Sequence, residues 1–196
     1  MKIKLYAKNF PQCKHDAELL KKFDNNKVFQ NKEYSDFFRK EILKTNKFNS
    51  KKSLVDSYLQ INAEKLSTFP LVIDEINFNK FKNILSLGSG ECVLEYFLKL
   101  INTDSEFYAT DFNDFFIEKA KEFFPEINSD LFDFHKDNIK KLTEAFQTKF
   151  DLCIFYGSAY TMDDDLFIKT FSSLKDIGVK KVIDFHAGCD SSFKII

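Results

Sequence analysis

The residues whose types and spacing could do chemistry gather around one turn, Gly88-Ser89-Gly90-Glu91. Gly88 and Gly90 lack the Cβ atoms that would hold a ligand away from the backbone. A helix starting just after them would offer unpaired N–H groups to a polar ligand. Asp111 lies 23 positions after Gly88, the spacing of an acid that grips ribose hydroxyls. Together these residues predict a nucleoside site over the tips of parallel strands. A general base, where the chemistry needs one, belongs near the ends of the later strands. His186 is the best-placed histidine there, with Tyr160 and Asp184 next. The blander alternative makes His186 a surface-loop residue. Asp163-Asp164-Asp165 could gather a hard cation. Successive helical residues diverge, however, and acids suit a helix N-terminus, so no metal is expected.

These residues need a scaffold, and the apolar patterning supplies one. Strands are predicted over 83–87, 106–110, 131–135, 150–156 and 181–185. Helices are predicted over 92–101, 114–124, about 139–147 and 163–177, stopped by Pro125 and Gly178 among others. Strand and helix alternate, which is the signature of a doubly wound, mostly parallel α/β sheet. The glycine turn joins its first strand to its first helix, and Asp111 ends its second strand. Upstream, residues 2–6 alternate like a short strand, and 16–23, 34–44 and 53–66 read as helices. Ser53 with Asp56 resembles a capping box. A helical appendage over 1–79 is therefore expected, with the nucleoside-binding domain over 80–196.

A dinucleotide-binding loop carries a further glycine at its sixth position, and that position is Val93 here. Gly-x-Gly without the last glycine, followed by a strand ending Ala109-Thr110-Asp111-Phe112, resembles the class I S-adenosylmethionine-dependent methyltransferases. Phe150-Asp151-Leu152 opening a later strand is also frequent in that family. The resemblance runs over about 81–188. It implies S-adenosylmethionine as cofactor, held by Gly88, Ser89 and Gly90, with Asp111 on the ribose and Phe112 against adenine. It also implies Asp137 and Asn138 at the adenine edge, although both could instead cap the next helix. Tyr156, ending the strand over 150–156, completes the expected contacts. The implied core order is 3-2-1-4-5, which directs the loop after Tyr156 toward the methyl group. Many members carry an acid two residues before the first glycine, where this chain has Ser86. Members also continue past the fifth strand with a helix and an antiparallel pair. Only eight residues follow Gly188, so the closing strands are expected to be missing and the domain C-terminally truncated. In such enzymes the N-terminal helices often lid the site, which draws attention to Tyr34 and Tyr58.

Composition narrows the partners. Net charge is −1, and Arg39 is the only arginine among 29 basic residues. Arginine is the usual reader of phosphate and guanine, so nucleic acid is not expected. The strand over 150–156 is not followed by Asn-Pro-Pro-Tyr, which removes DNA-base methylation. Cys13, Cys92, Cys153 and Cys189 show no metal-ligand spacing and read as reduced thiols of a cytoplasmic, bacterial protein. No stretch has transmembrane length. The expectation is a methyltransferase acting on a small-molecule or sugar-type acceptor, by O-methylation. The alternatives are a non-catalytic methyltransferase-like binding module and an NAD-dependent oxidoreductase. The acceptor and the oligomeric state are left open.

Overall fold

A computed structural model describes residues 4–8, 46–66, 76–159, 162, 164–185 and 191–195. Its strands are β1 (Lys4–Lys8), β2 (Asn83–Leu87), β3 (Glu106–Asp111), β4 (Asn128–Leu131), β5 (Leu152–Tyr156), β6 (Lys181–Phe185) and β7 (Ser191–Ile195). Its helices are α1 (Lys51–Leu66), α2 (Val93–Ile101), α3 (Asp114–Phe123), α4 (Lys140–Ala145) and α5 (Asp164–Asp176). The strands form one seven-stranded sheet in the order β1-β7-β6-β5-β2-β3-β4. From β4 to β6 the pairing is parallel throughout. With β2 counted as the first core strand, that order is 3-2-1-4-5. β2 lies at the centre, where the chain departs to β3 on one side and to β5 on the other. Ligand crevices in doubly wound sheets form at this switch point.

The closing strands are present, which corrects the expectation that they are missing. β7 returns antiparallel along β6, with Ile183 opposite Ile195 and Phe185 opposite Phe193. β1 then pairs antiparallel with β7, Lys4 opposite Ile195 and Lys8 opposite Ser191. The edge of β6 is covered by β7 and β1 together, and a strand needs only about five residues to do so.

Alternation in β2 sends Ile84 and Ser86 to one face and Leu85 and Leu87 to the other. The first face packs on Leu54, Tyr58, Val93, Leu94, Leu98 and Phe115. The second packs on Phe134, Leu142, Phe150, Phe155 and Leu174. Each fully buried leucine contributes about 1.5–3 kcal/mol through water exclusion.

Two elements differ from the patterning. β4 starts and ends earlier than the predicted strand over 131–135, because it pairs with β3 through Tyr108–Asn128 and Asp111–Leu131. Phe132 and Phe134 are buried from the following loop instead. α1 starts at Lys51, one turn's fraction before the expected cap. Ser50 Oγ accepts from the Ser53 amide at 3.1 Å, so Ser50 does the capping. The helices expected over 16–23 and 34–44 lie outside the described residues.

Candidate functional site

The site is built at the carboxyl ends of β2, β3 and β5. Gly88 leaves β2 with φ +72, and a Cβ placed there would stand 2.5 Å from Ser158 Cβ. Ser158 itself is fixed, its hydroxyl donating to the Leu87 carbonyl at 2.6 Å. Glycine is therefore required at 88 by the fold. Gly90 is different. Its φ is +56, yet a Cβ there would meet nothing within 4 Å. Its face is open, as a ligand's approach requires.

The loop is tied to β3 by its own amides. Gly88 and Ser89 both donate N–H to the Thr110 carbonyl, at 2.8 and 2.9 Å. The Gly90 amide donates to Asp111 Oδ2 at 2.9 Å. The Asn113 amide donates to Asp111 Oδ1, also at 2.9 Å. Asn113 then caps α3 by accepting from the Phe115 amide at 3.1 Å. Asp111 is buried, and that burial pushes its pKa up to about 6 despite the two amides; Glu91 and Asp133 add to the push. Glycine loop and acid thus form one hydrogen-bonded unit. Phe112 follows it, half-buried.

Beneath the loop, on the face shared by Ile84 and Ser86, lies a second polar group. Ser86 Oγ donates to Glu95 Oε1 at 2.5 Å. Glu95 sits in the first turn of α2 and is buried. Desolvation raises its pKa to about 7, opposed by the Ser86 hydrogen bond and the helix's own amide. Tyr58 from α1 and Tyr156 from β5 act on one another there, and Glu95 acts on both. Burial raises both phenols.

The segment before α1 closes over the outside of the loop. Lys47 pairs with Glu91. Phe48 is buried edge-on against Phe115, ring centroids 5.0 Å apart. Lys51 lies 3.9 Å over the Tyr96 ring and 3.1 Å from Glu126.

The structure brings Gly88, Ser89, Gly90 and Asp111 together as the sequence expects, with Tyr156 on the neighbouring strand. Asp137 and Asn138 close the turn before α4. Asp137 Oδ2 accepts from the Asp133 amide at 3.1 Å, and Asn138 Oδ1 from the Lys140 amide at 3.0 Å. Phe134 lies nearer the loop than either, its ring edge 3.4 Å from where a Gly88 Cβ would be. His135 stacks on Phe134 at 4.6 Å. Asp184 is buried on β6. Tyr34, Tyr160 and His186 lie outside the described residues. Sequence reasoning passed over Glu95 and Ser158. A charge inside the apolar run Val93-Leu94-Glu95-Tyr96-Phe97-Leu98 was the available signal for the first; contact across the sheet, which no local pattern reports, places the second.

Many solved structures align with this chain, and three of them are methyltransferases with TM-scores of 0.50 or more. One is the plantazolicin methyltransferase BpumL in complex with a pentazolic desmethylPZN analog and SAH (TM-score 0.50, 12% identity, 89% of this chain, 62% of that one). Another is the S-adenosylmethionine-dependent methyltransferase SibL in its apo form (TM-score 0.53, 15% identity, 65% of this chain, 37% of that one). The third is an S-adenosylmethionine-dependent methyltransferase from Clostridium acetobutylicum (TM-score 0.50, 21% identity, 68% of this chain, 56% of that one). The chain has the class I methyltransferase fold. It spans between 37% and 62% of the lengths of these three proteins. No family model and no curated protein matches the sequence. Within this methyltransferase fold, the Gly88–Asp111 unit stands at the switch point of the sheet. No helix among the described residues is long and apolar enough to cross a membrane.

Proposed function

We propose that the chain binds S-adenosylmethionine at the carboxyl ends of β2, β3 and β5 and methylates a small-molecule or sugar-type acceptor at oxygen. One observation carries this reading: the buried Asp111 carboxylate is locked to the Gly90 amide at 2.9 Å beside an open loop face. That couples an acid able to accept from ribose hydroxyls to a backbone that a ligand can approach. The three aligned methyltransferases support the same cofactor. The residues fit the group: Gly88, Ser89 and Gly90 would line its path, Asp111 would take the ribose, and Phe112 would lie against the adenine. Asp137 and Asn138 remain candidates for the adenine edge, and Tyr156 for the methionine arm.

The cofactor supplies an electrophilic methyl group on a sulfonium. The protein's part is positioning and exclusion of water. Methyl transfer to an acceptor hydroxyl would exchange the sulfur–carbon bond for an oxygen–carbon bond and would require a residue to take the hydroxyl proton. We assign that proton to His186 or Tyr160, and residues 46–66 to the cover over the site. The appendage over 1–79 and the domain over 80–196 then divide acceptor recognition from cofactor binding.

Calorimetric titration with S-adenosylmethionine, S-adenosylhomocysteine and NAD tests the reading. Binding of the first two, abolished in Asp111→Ala, is expected. Binding of NAD alone overturns it.

A further inference from the structure

Glu95 has no role in the fold that its chemistry would recommend. A glutamate in the first turn of a helix is ordinarily solvated and stabilised by the helix dipole. Here it is 1% exposed, in a helix whose neighbouring residues Val93, Leu94 and Leu98 fill the core. Oε1 accepts from Ser86, and Oε2 has no hydrogen-bond partner among the described residues. The charges that act on it, Asp111 and Glu91, are negative. A buried carboxylate left half-satisfied and surrounded by its own sign is costly. A protein that needed only a spacer could hold Gln or Leu there.

Its position points to what would complete it. Ser86 is two residues before Gly88 on β2. Tyr156 stands on the adjoining β5, and Tyr58 reaches in from α1. Ser86 touches Glu95, and Tyr58, Tyr156, Cys92, Glu91 and Asp111 are the other titratable groups coupled to it electrostatically. The carboxylate is tied to Ser86, two residues before the loop that Asp111 holds through the Gly90 amide. A nucleoside whose ribose met Asp111 would place its amino-acid arm along that same loop, within reach of the end of β2.

We propose that Glu95 is the counter-ion of the ligand's amino group, its Oε2 accepting from the ammonium of the amino-acid arm. This rests on the cofactor reading above and adds the residue that recognises the amino-acid end. Ser86 positions the carboxylate by holding Oε1, so that acid and hydroxyl on two elements do together what one strand acid could do alone.

The test compares two thioether nucleosides by calorimetry on the whole chain: S-adenosylhomocysteine, which carries the ammonium, and methylthioadenosine, which lacks the amino acid. Glu95→Gln is expected to weaken the first by about tenfold or more, the scale of a lost charge-assisted hydrogen bond, and to leave the second unchanged. Retained methylthioadenosine binding also shows that the variant is folded. In the unaltered protein near pH ~6, binding of S-adenosylhomocysteine should release more protons than binding of methylthioadenosine, because the ammonium drives Glu95 to ionise. Buffers of different ionisation enthalpy read that difference without any variant. Equal proton release for both ligands, or equal loss of both in a folded Glu95→Gln, overturns the assignment and leaves the cofactor reading standing. Failure of the unaltered protein to bind either nucleoside overturns the cofactor reading itself, and the assignment with it.

Discussion

Gly88 and Gly90 differ in what the fold asks of them: one is hemmed in by Ser158, the other opens onto free space. At both, a left-handed φ disfavours any side chain, by about 1–2 kcal/mol. At Gly88 a Cβ would also collide with Ser158 Cβ at 2.5 Å, and an overpacked core costs a further ~1–3 kcal/mol. Gly88→Ala should therefore lower unfolding free energy in urea by about 2–5 kcal/mol. Gly90→Ala has open space around its new methyl group. It should cost only the backbone term, about 1–2 kcal/mol, and should weaken S-adenosylhomocysteine binding in a calorimetric titration. Equal stability losses would contradict this division. The sequence reading found both glycines and Asp111, because their spacing is a local signal. It did not find Glu95, since a single charge in an apolar helical run does not alter the period. Only the packing of α2 against Ser86 shows that the charge turns inward.

At the scale of elements, the segment over 46–66 is held to the sheet largely by aromatic and apolar contacts. Phe48 wedges against Phe115 and Phe116, with centroids at 5.0 and 6.2 Å. α1 then buries Leu54 and Tyr58 onto the sheet. Phe48→Ala removes a buried ring, a loss of about 3–5 kcal/mol where a cavity stays open. Its effect should be local. Amides of α1 should lose hydrogen-exchange protection while those of β2 and β3 keep theirs, since the sheet's own ladders do not involve Phe48. Uniform loss across both would show that cover and sheet unfold as one unit. Elements with strong, isolated periodicity were legible from sequence: β2 and β6 fall where predicted, and α2 and α3 within a residue. β4 was not. The apolar run Leu131-Phe132-Asp133-Phe134 outweighs Asn128-Ser129-Asp130 in any local count. The ladder to β3 nonetheless selects the polar segment, and Leu131 is left 55% exposed. Register across strands is a tertiary property, and a single segment does not contain it.

The whole molecule carries its polar site at an energetic disadvantage that depends on pH. Burial raises Glu95 from 4.5 to about 7 and Asp111 from 3.8 to about 6. Between the ordinary and the raised values the folded chain binds more protons than the unfolded chain, so these groups make stability fall as pH rises. Their favourable contribution is complete below about pH 4 and lost by the time pH passes about 7. The unliganded protein should thus lose unfolding free energy from about pH 4 to about pH 7, a trend opposite to that of salt-bridged carboxylates. Glu95→Gln should flatten the upper part of that slope, and Asp111→Asn the lower part. Denaturant titrations across the range measure it, and a stability that rises with pH to the same extent in all three proteins would refute it. A bound ligand with a fixed positive charge reverses the argument for Glu95. It favours the ionised form, so the stabilisation it confers should grow as pH climbs toward about 7. The closed sheet makes this possible. With β7 and β1 covering the edge beyond β6, the framework rests on its ladders and its two apolar faces, and it can hold an unfulfilled carboxylate at its centre until a ligand arrives.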